Sequence, residues 1–504
     1  MPRPLSLTGE NLTRHDFHEV VLGDRRVALD PRARRRMARS RALVEKVIRE
    51  KKVVYGVTTG FGSLATEYIE PAQGRQLQLN LVRSHACGVG EPLEAAETRG
   101  LLLLRANALA RGLSGVRPRV VELLCTFLNQ RVHPVVPARG SVGASGDLAP
   151  LAHVALALIG EGEVIFRGRR ISATMALKAI RQKPLRLEAK EGLALVNGTQ
   201  AMLAVGLLAL RQAELLVDTA DVAGALSLDA LRGSPAAFEA RLHQARPHPG
   251  QLTTARNLAR LNRGSTIRAS HRACPRVQDA YSLRCMPQVH GAVRDALDYA
   301  RRVLEIEMNS ATDNPLVFAR DGEVISGGNF HGQPLATALD LVAIALAQLG
   351  AISERRIDRL VNPLTSELPP FLTASPGLES GFMMAQVVAA ALASENKVLA
   401  HPASVDSIPT SGNKEDYVSM GMTAALKLRP VIANVARILA IELLAASQAI
   451  DLLAPLRTGN LAERARALVR RASTRLTADR PLYGDIAHVS ELVRAGEFAA
   501  VIRQ

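Results

Sequence analysis

One segment of small residues, GSVGASGDLAP at Gly140–Pro150, constrains this chain more than any other feature. Within it Ala144, Ser145 and Gly146 stand in a row. If the backbone bends sharply, the amide nitrogen of Gly146 can attack the carbonyl carbon of Ala144. Loss of water from that adduct and from the Ser145 side chain leaves a five-membered ring with an exocyclic methylene. Only a residue without a Cβ lets the backbone approach itself so closely, so the fold must support a tight turn here.

A plainer interpretation of the same residues is a turn before a helix, with Ser145 or Asp147 as the N-cap. The run DLAP at 147–150 predicts the start of a helix, because proline is tolerated in the first turn. A helix that starts here would place its positive end beside Ala144–Gly146. Such a dipole would increase the electrophilicity of the ring.

Further blocks along the chain carry equally unusual sequence. They are YGVTTGFG at Tyr55–Gly62, RSHACGVGEPL at Arg83–Leu93, EGLALVNGTQAM at Glu191–Met202, VQDAYSLRCMPQVHGA at Val277–Ala292, NSATDNPL at Asn309–Leu316, GGNFHGQP at Gly327–Pro334 and AHPASVDSIPTSGNKEDYVSM at Ala400–Met420. Together with the segment at Gly140–Pro150, these blocks resemble the aromatic amino acid ammonia-lyase and aminomutase family. The resemblance spans essentially the whole chain, which is therefore identified as a member of this family.

The resemblance implies a prosthetic group, 4-methylideneimidazol-5-one (MIO), formed autocatalytically from Ala144, Ser145 and Gly146, with no external cofactor. Its methylene accepts the substrate amine and makes it a better leaving group. The resemblance also implies that Tyr55, in a loop flexed by glycines, removes the β-proton. A tyrosine has an ordinary pKa near ~10, so positive dipoles or a nearby arginine would have to lower that pKa. On its own, Tyr55 would fit a buried tyrosine hydrogen-bonded in a turn.

Four more residues join the substrate site by resemblance. Arg284 is the expected clamp for the substrate carboxylate, because guanidinium meets carboxylate in a two-point fork. Asn197 is expected to hold the ring oxygen or the substrate carboxylate, and Tyr281 to assist ring formation or the amine. Gln278 is expected to belong to the same group of substrate-binding residues. Taken singly, each of these residues also fits a structural role.

Two residues are expected to decide the substrate. Relatives acting on histidine, and many acting on tyrosine, carry a histidine where this chain has His85, and Glu415 matches the glutamate of histidine ammonia-lyases. A carboxylate beside an imidazole can accept the ring N–H. Spacing alone favours the alternative that Glu415 and Asp416 simply pair with Lys414 or with arginines. Lys414 and Tyr417 also depart from the usual residues around this glutamate. Phe330 is expected to line the pocket, or else to be an ordinary core residue.

The composition limits the partners. The chain has 504 residues, a formal net charge of +16 and 3% aromatic residues. A balance this basic raises the question of nucleic acid, but the arginines are spread along the chain and aromatic interleaving is missing. We therefore expect a small-molecule amino acid substrate and no nucleic acid. The densest basic cluster predicts a solvated helix face and consists of Arg32, Arg34, Arg35 and Arg36.

Cysteine usage and hydropathy point to the cytoplasm. The cysteines show no paired spacing, which indicates neither a disulfide framework nor a zinc site. They are Cys87, Cys125, Cys274 and Cys285. The N-terminus lacks the apolar core of a signal peptide. The uncharged run Gly192–Leu210 is long enough to span a membrane, but its polar first half predicts a buried helix, so no membrane association is expected.

No metal site is predicted. No pair of histidines has i, i+4 spacing with a supporting carboxylate. We interpret His153, His290 and His331 as satisfied polar residues near the site.

The texture of the chain predicts a mainly α fold in two domains. Residues 1–200 alternate short apolar runs with glycine-rich turns, and they should form a mixed helix and loop domain that carries the tyrosine loop and the MIO segment. Residues 201–504 should form a long up-down helical bundle with C-terminal helices. The resemblance implies that this bundle has the fumarase/aspartase-like fold and forms the core of a homotetramer with shared active sites. The long amphipathic segments are Met202–Val217, Gln288–Met308, Leu335–Leu360 and Gly381–Ala400.

These observations predict an ammonia-lyase that acts on L-histidine and leaves trans-urocanate. The alternatives within the family are a tyrosine or phenylalanine ammonia-lyase, or a 2,3-aminomutase. An alternative of another class is a catalytically inactive basic helical scaffold or nucleic-acid-binding protein. The set that argues against it is intact: Tyr55, Ser145, Asn197, Tyr281 and Arg284.

Overall fold

The structure is a computed structural model that describes residues 3–271 and 277–503. The described chain is mainly α-helical, as predicted. It divides into two compact units, each assembled from separate stretches of chain. Cys87, Cys125 and Cys285 are free thiols, whereas Cys274 lies outside the described residues.

The first unit comprises Met1–Leu208, Arg301–Leu339 and Pro402–Leu426. Its shorter helices are Arg14–Val21, Pro31–Arg49, Gly74–His85, Ala95–Ala110, Pro118–Asn129, Leu148–Leu158, Ala173–Ala179 and Glu191–Val196. Its strands form a parallel pair (Leu5–Leu7 with Val27–Leu29), an antiparallel pair (Val89–Pro92 with Pro137–Arg139), a three-stranded sheet (Val132–Pro134, Glu163–Phe166, Arg169–Ser172) and a hairpin (Leu316–Phe318 with Glu323–Ile325). The mixture of short elements agrees with the glycine-rich texture of this part of the sequence.

Local sequence explains where these helices begin. The Asp30 side chain caps Pro31–Arg49 by accepting from the backbone N–H groups of Arg32 and Ala33, which would otherwise lack partners. On that helix Arg32, Arg34 and Arg35 are exposed, as predicted for a solvated face. Arg36 differs, because it is half-buried and donates to backbone carbonyl groups.

The second unit comprises Ala209–Ala300, Asp340–His401 and Lys427–Gln504. The long helices of the chain, which lie partly or wholly in this unit, are Gln200–Ala230, Met286–Met308, Gln333–Val361, Met383–Leu399 and Gly421–Leu452. Its shorter helices are Ala240–Gln244, Pro249–Leu261, Thr266–Ser270, Tyr281–Arg284, Asn460–Ala472, Tyr483–Ala495 and Glu497–Arg503. The four predicted amphipathic segments are confirmed as helices, and Gly421–Leu452 is a long helix that the prediction did not single out.

The units interleave along the chain. The predicted first domain, residues 1–200, lies in the first unit, whereas residues 201–504 contribute to both units. The stretches Arg301–Leu339 and Pro402–Leu426 belong to the first unit although long helices of the second unit lie between them. Both stretches contain loops with polar sequence blocks, and these loops take part in the site described below.

Some of the long helices combine length with low polarity. By length and composition alone, Gln200–Ala230, Gln333–Val361 and Gly421–Leu452 could each cross a membrane. Between 61% and 83% of their most apolar windows is buried within the chain, however. Their apolar residues therefore belong to the protein core, as expected for bundle helices.

Candidate active site

The Ala144–Gly146 segment is a tight turn held against a second chain segment. Gly146 has φ +72°, and it pairs with Gly198 in an isolated parallel bridge. The Asp147 N–H donates to the Gly198 carbonyl oxygen over 2.7 Å. A Cβ on Gly146 would overlap the backbone of Gly198. The geometry therefore requires glycine at this position, as the sequence predicted.

Two helix N-termini lie beside this turn. Leu148–Leu158 begins directly after Asp147, which confirms the predicted helix start, and Gln200–Ala230 begins just beyond Gly198. The Asp147 carboxylate accepts from the Met202 N–H over 2.8 Å, so it caps the second helix rather than its own. Burial raises the pKa of Asp147 from 3.8 to about 6, against the effect of hydrogen bonds from Met202, Ser141 and Ala201. The positive ends of both helices are thus close to the turn.

The Ser145 side chain forms a hydrogen bond with Glu415, which lies 270 residues later in the sequence. Its Oγ donates to Glu415 Oε1 over 3.0 Å. Thr410 Oγ1 donates to Glu415 Oε2 over 2.6 Å, and the Thr410 and Glu415 backbones also pair. In the part of the chain that the structure describes, these two hydroxyls hold the carboxylate, so the alternative pairing with Lys414 is not observed.

A cavity of about 690 Å³ opens in the first unit at this turn. It is lined by seven of the predicted site residues, namely Tyr55, His85, Ala144, Ser145, Asn197, Phe330 and Glu415. Lys414, Tyr417 and His331 contribute to the same wall, and the His331 and Tyr417 rings stack with their centroids 6.1 Å apart. A volume of this size suits a small-molecule ligand.

Tyr55 and His85 are both oriented by neighbouring residues. The Tyr55 hydroxyl accepts from the Gly62 N–H over 3.2 Å, and the Tyr55 ring meets Phe61 edge-on at 6.5 Å between centroids. His85 Nδ1 lies 3.0 Å from Ser84 Oγ. Burial lowers the pKa of His85, whereas the charge of Glu415 acts in the opposite direction. At neutral pH His85 is therefore a neutral imidazole that can both donate and accept.

The remaining predicted residues do not line this cavity within one chain. Gln278, Tyr281 and Arg284 belong to the second unit. Tyr281 is 70% exposed, and the Arg284 guanidinium lies over its ring at 4.7 Å from the centroid. The structure therefore keeps the predicted base and the predicted carboxylate clamp on separate units.

The three histidines interpreted above as satisfied polar residues all have hydrogen-bond partners. His153 Nε2 accepts from the Gly88 N–H, and His331 Nε2 lies 3.2 Å from the Tyr417 carbonyl oxygen. His290 is buried, with Nδ1 bonded to Asp221. The interpretation as satisfied polar residues is confirmed, although only His331 lies at the cavity wall.

Sequence reasoning missed Thr410, Lys190 and Asp313. Thr410 and Asp313 lie inside blocks that carried the resemblance, so the polar character of those blocks was an available signal. Lys190 stands just outside such a block, and nothing in its neighbourhood indicates that its side chain is fully buried.

Comparisons with known proteins place the whole chain among related sequences and structures. The sequence model of the family described as aromatic amino acid lyase matches residues 12–471. The chain is 58% identical to a histidine ammonia-lyase of Koribacter versatilis, over 99% of this chain and 100% of the relative. Among solved structures, histidine ammonia-lyase from Trypanosoma cruzi superimposes with a TM-score of 0.92 at 43% identity, covering 99% of this chain and 95% of that one. Tyrosine aminomutase from Streptomyces globisporus gives a TM-score of 0.93 at 41% identity, covering 99% and 98%.

Proposed function

Because the chain belongs to the aromatic amino acid lyase family, we propose that it eliminates ammonia from L-histidine and leaves trans-urocanate. It is a carbon–nitrogen lyase. The observation that carries this conclusion is one cavity that joins the Ala144–Ser145 turn, Tyr55 and the pair His85 and Glu415. The histidine ammonia-lyases that match it from end to end support the choice of substrate.

The residues of the turn fit the MIO group that the family generally uses. Ala144 is buried, Gly146 has a left-handed backbone and packs against Gly198 where no Cβ fits, and Ser145 lines the cavity. The Asp147 and Gly198 backbones would hold the ring in place. When formed, the group supplies an electrophilic carbon for the substrate amine, a property that ordinary side chains lack.

Tyr55 is the residue of the cavity that takes the β-proton of the substrate. It lines the same space as Ser145, and the Gly62 N–H donates to its oxygen and orients the hydroxyl group. A base positioned in this way acts only in the elimination step, so its contribution appears in kcat.

His85 and Glu415 bind the imidazole ring of the substrate. Imidazole donates at one nitrogen and accepts at the other. Glu415 supplies an acceptor, while His85 can donate or accept. Phe330 adds an apolar wall. A phenyl ring would leave the polar groups without partners, which costs binding energy.

We further propose a homotetramer in which neighbouring chains complete each site. Arg284 would bind the substrate carboxylate, and Tyr281 and Gln278 would act beside it. The location of these residues on the second unit, outside the lining of the cavity, supports a contribution from another chain. The free thiols at Cys87, Cys125 and Cys285 agree with a cytoplasmic enzyme.

One observation favours a second candidate, a tyrosine-acting enzyme. Tyr417 lines the cavity and stacks on His331, and it departs from the residue usual in this block. A substrate screen over L-His, L-Tyr and L-Phe separates the candidates. We expect trans-urocanate from L-His; coumarate or β-tyrosine formed at higher kcat/KM would assign the enzyme to the tyrosine branch. Salt-sensitive binding of DNA or RNA without lyase activity would instead favour the inactive scaffold.

A further inference from the structure

A fully buried ion pair lies behind the cavity in the first unit. Lys190 Nζ and Asp313 Oδ2 are 2.6 Å apart, and their side chains are 0% and 2% exposed. Arg105, also fully buried, adds a second positive charge that interacts with Asp313. Burying charges is unfavourable unless they are paired and hydrogen-bonded. An ion pair buried this completely is therefore a candidate for orienting a neighbouring side chain.

The second oxygen of Asp313 reaches a residue of the cavity wall. Asp313 Oδ1 accepts from the Asn314 N–H over 2.7 Å and from Asn197 Nδ2 over 3.4 Å. Asn197 Nδ2 also donates to the Asn314 carbonyl oxygen over 3.3 Å. Both hydrogens of the Asn197 amide are therefore used on acceptors. Its carbonyl oxygen is buried and accepts from no group in the described chain.

We propose that Lys190 and Asp313 are positioning residues that fix the side-chain amide of Asn197, so that its carbonyl oxygen is the end left for the substrate. This inference rests on the proposed function. It changes the role of Asn197 from a donor that holds a carboxylate or ring oxygen to an acceptor. The matching substrate group is the α-ammonium, which only donates.

The ion pair enforces this orientation through the charge of Asp313. An ionised carboxylate only accepts hydrogen bonds, whereas a protonated one can also donate. Lys190 donates to Asp313 Oδ2 and the Asn314 N–H donates to Oδ1, so both oxygens act as acceptors and Asn197 turns its NH₂ group toward Oδ1. A neutral partner at position 313 would remove the charged one of the two acceptors that orient the NH₂ group, leaving only the Asn314 carbonyl oxygen against a flip of the amide. A flipped amide would present a donor to the ammonium and lose the interaction.

The position of Asn197 in the chain supports an ammonium ligand. The next residue, Gly198, is paired with Gly146. The Asn197 amide is thus adjacent to the turn where the substrate amine reacts under the proposed function. Imidazole and carboxylate contacts are assigned to other residues, so the amine is the substrate group still without a protein acceptor.

The test uses two inhibitors of the mature enzyme that each lack one group of histidine. Histamine keeps the amine and lacks the carboxylate, and 3-(imidazol-4-yl)propionate keeps the carboxylate and lacks the amine. The double variant Lys190→Met/Asp313→Asn removes both charges at nearly constant volume. We expect its inhibition constant for histamine to rise about tenfold or more, since a hydrogen bond to a charged group is lost. The constant for the propionate should stay within about twofold, and intact mass should show a fully matured chain.

The matched control is Lys427→Met/Asp340→Asn, which removes a nearly buried pair of the same type in the second unit. It should change thermal stability and leave the ratio of the two inhibition constants unchanged. An equal rise for both inhibitors in the Lys190 and Asp313 variant would make the pair merely structural. A selective rise for the propionate would make Asn197 a donor to the carboxylate. No change would also overturn the proposal.

Asn197→Ala keeps the test decisive if the double variant does not fold. It should weaken histamine selectively, and equal loss for both inhibitors would refute the acceptor role. If wild-type enzyme neither releases urocanate from L-His nor binds either inhibitor, the proposed function fails. If wild-type enzyme does both and the variants keep their histamine affinity, the inference alone fails.

Discussion

Replacing Gly146 with alanine should block maturation of the prosthetic group while leaving the chain folded. The residue has φ +72°, a region that costs a residue with a Cβ roughly 1–2 kcal/mol. The new methyl group would also overlap the Gly198 carbonyl, so the pairing of the two segments must open. Losing the bond from the Asp147 N–H adds about 1 kcal/mol. The sum of about 2–3 kcal/mol is tolerable for a domain, but the pairing with Gly198 that holds the turn in its bent form is gone.

Intact mass is the direct assay for this prediction. The mature wild-type chain should lack the mass of two waters relative to its encoded sequence, whereas Gly146→Ala and Ser145→Ala should retain the full encoded mass. Gly168→Ala is the matched control, because Gly168 has φ +74° and no atom lies within 4 Å of the position that its new methyl group would occupy. Gly168→Ala should be destabilised by a similar backbone strain and still mature completely. Loss of two waters from Gly146→Ala would refute the requirement for close approach.

Three further predictions test the remaining groups. Tyr55→Phe should reduce kcat by about 10²–10⁴-fold while its intact mass still shows the loss of two waters from the encoded mass, and a near-wild-type kcat would reassign the base. Tyr55→Phe and Arg284→Ala chains should each have strongly reduced activity, yet recover part of it when co-expressed, because mixed tetramers contain some sites with both residues. No recovery, or a fully active monomer in light scattering, would contradict shared sites. Burial raises the pKa of Asp147 from 3.8 to about 6, so the folded state binds more protons than the unfolded state in that interval and loses stability as pH rises through it. In calorimetry, Tm should decrease less between pH 4 and 6 for Asp147→Asn than for the wild-type chain. The same dependence of Tm on pH in both would show that Asp147 does not titrate there.

Much of the fold was predictable, because periodicity reports burial directly. Apolar residues at helical spacing predicted helices at Gln288–Met308 and Leu335–Leu360. The observed bounds, Met286–Met308 and Gln333–Val361, are close to these. Gly421–Leu452 was not singled out as a long helix, and Pro430 lies inside it, where a proline in a helical pattern normally predicts an end or a kink. The interleaving of the two units was also missed, since a return of the chain to an earlier unit leaves no periodic signal.

The site was predictable where a motif names its chemistry and not where partners are distant in sequence. Gly146 follows from the close backbone approach that the ring requires. The bond from Ser145 to Glu415 joins residues 270 positions apart, and the ion pair of Lys190 with Asp313 joins residues 123 apart. A buried charge looks like a surface charge in sequence, so these partners appear only when the chain is folded.

The comparison of kcat/KM for L-His and L-Tyr, with identification of each product, tests the central claim most directly. In the mature enzyme Thr410 still holds Glu415 in the cavity, and loss of the Ser145 hydroxyl frees the other carboxylate oxygen to accept the N–H of an imidazole. We predict trans-urocanate from L-His at a higher kcat/KM than any product from L-Tyr, with L-Phe lowest. Glu415→Gln should weaken the histidine reaction more than the tyrosine reaction. A higher kcat/KM for L-Tyr, or the appearance of β-tyrosine, would contradict the assignment.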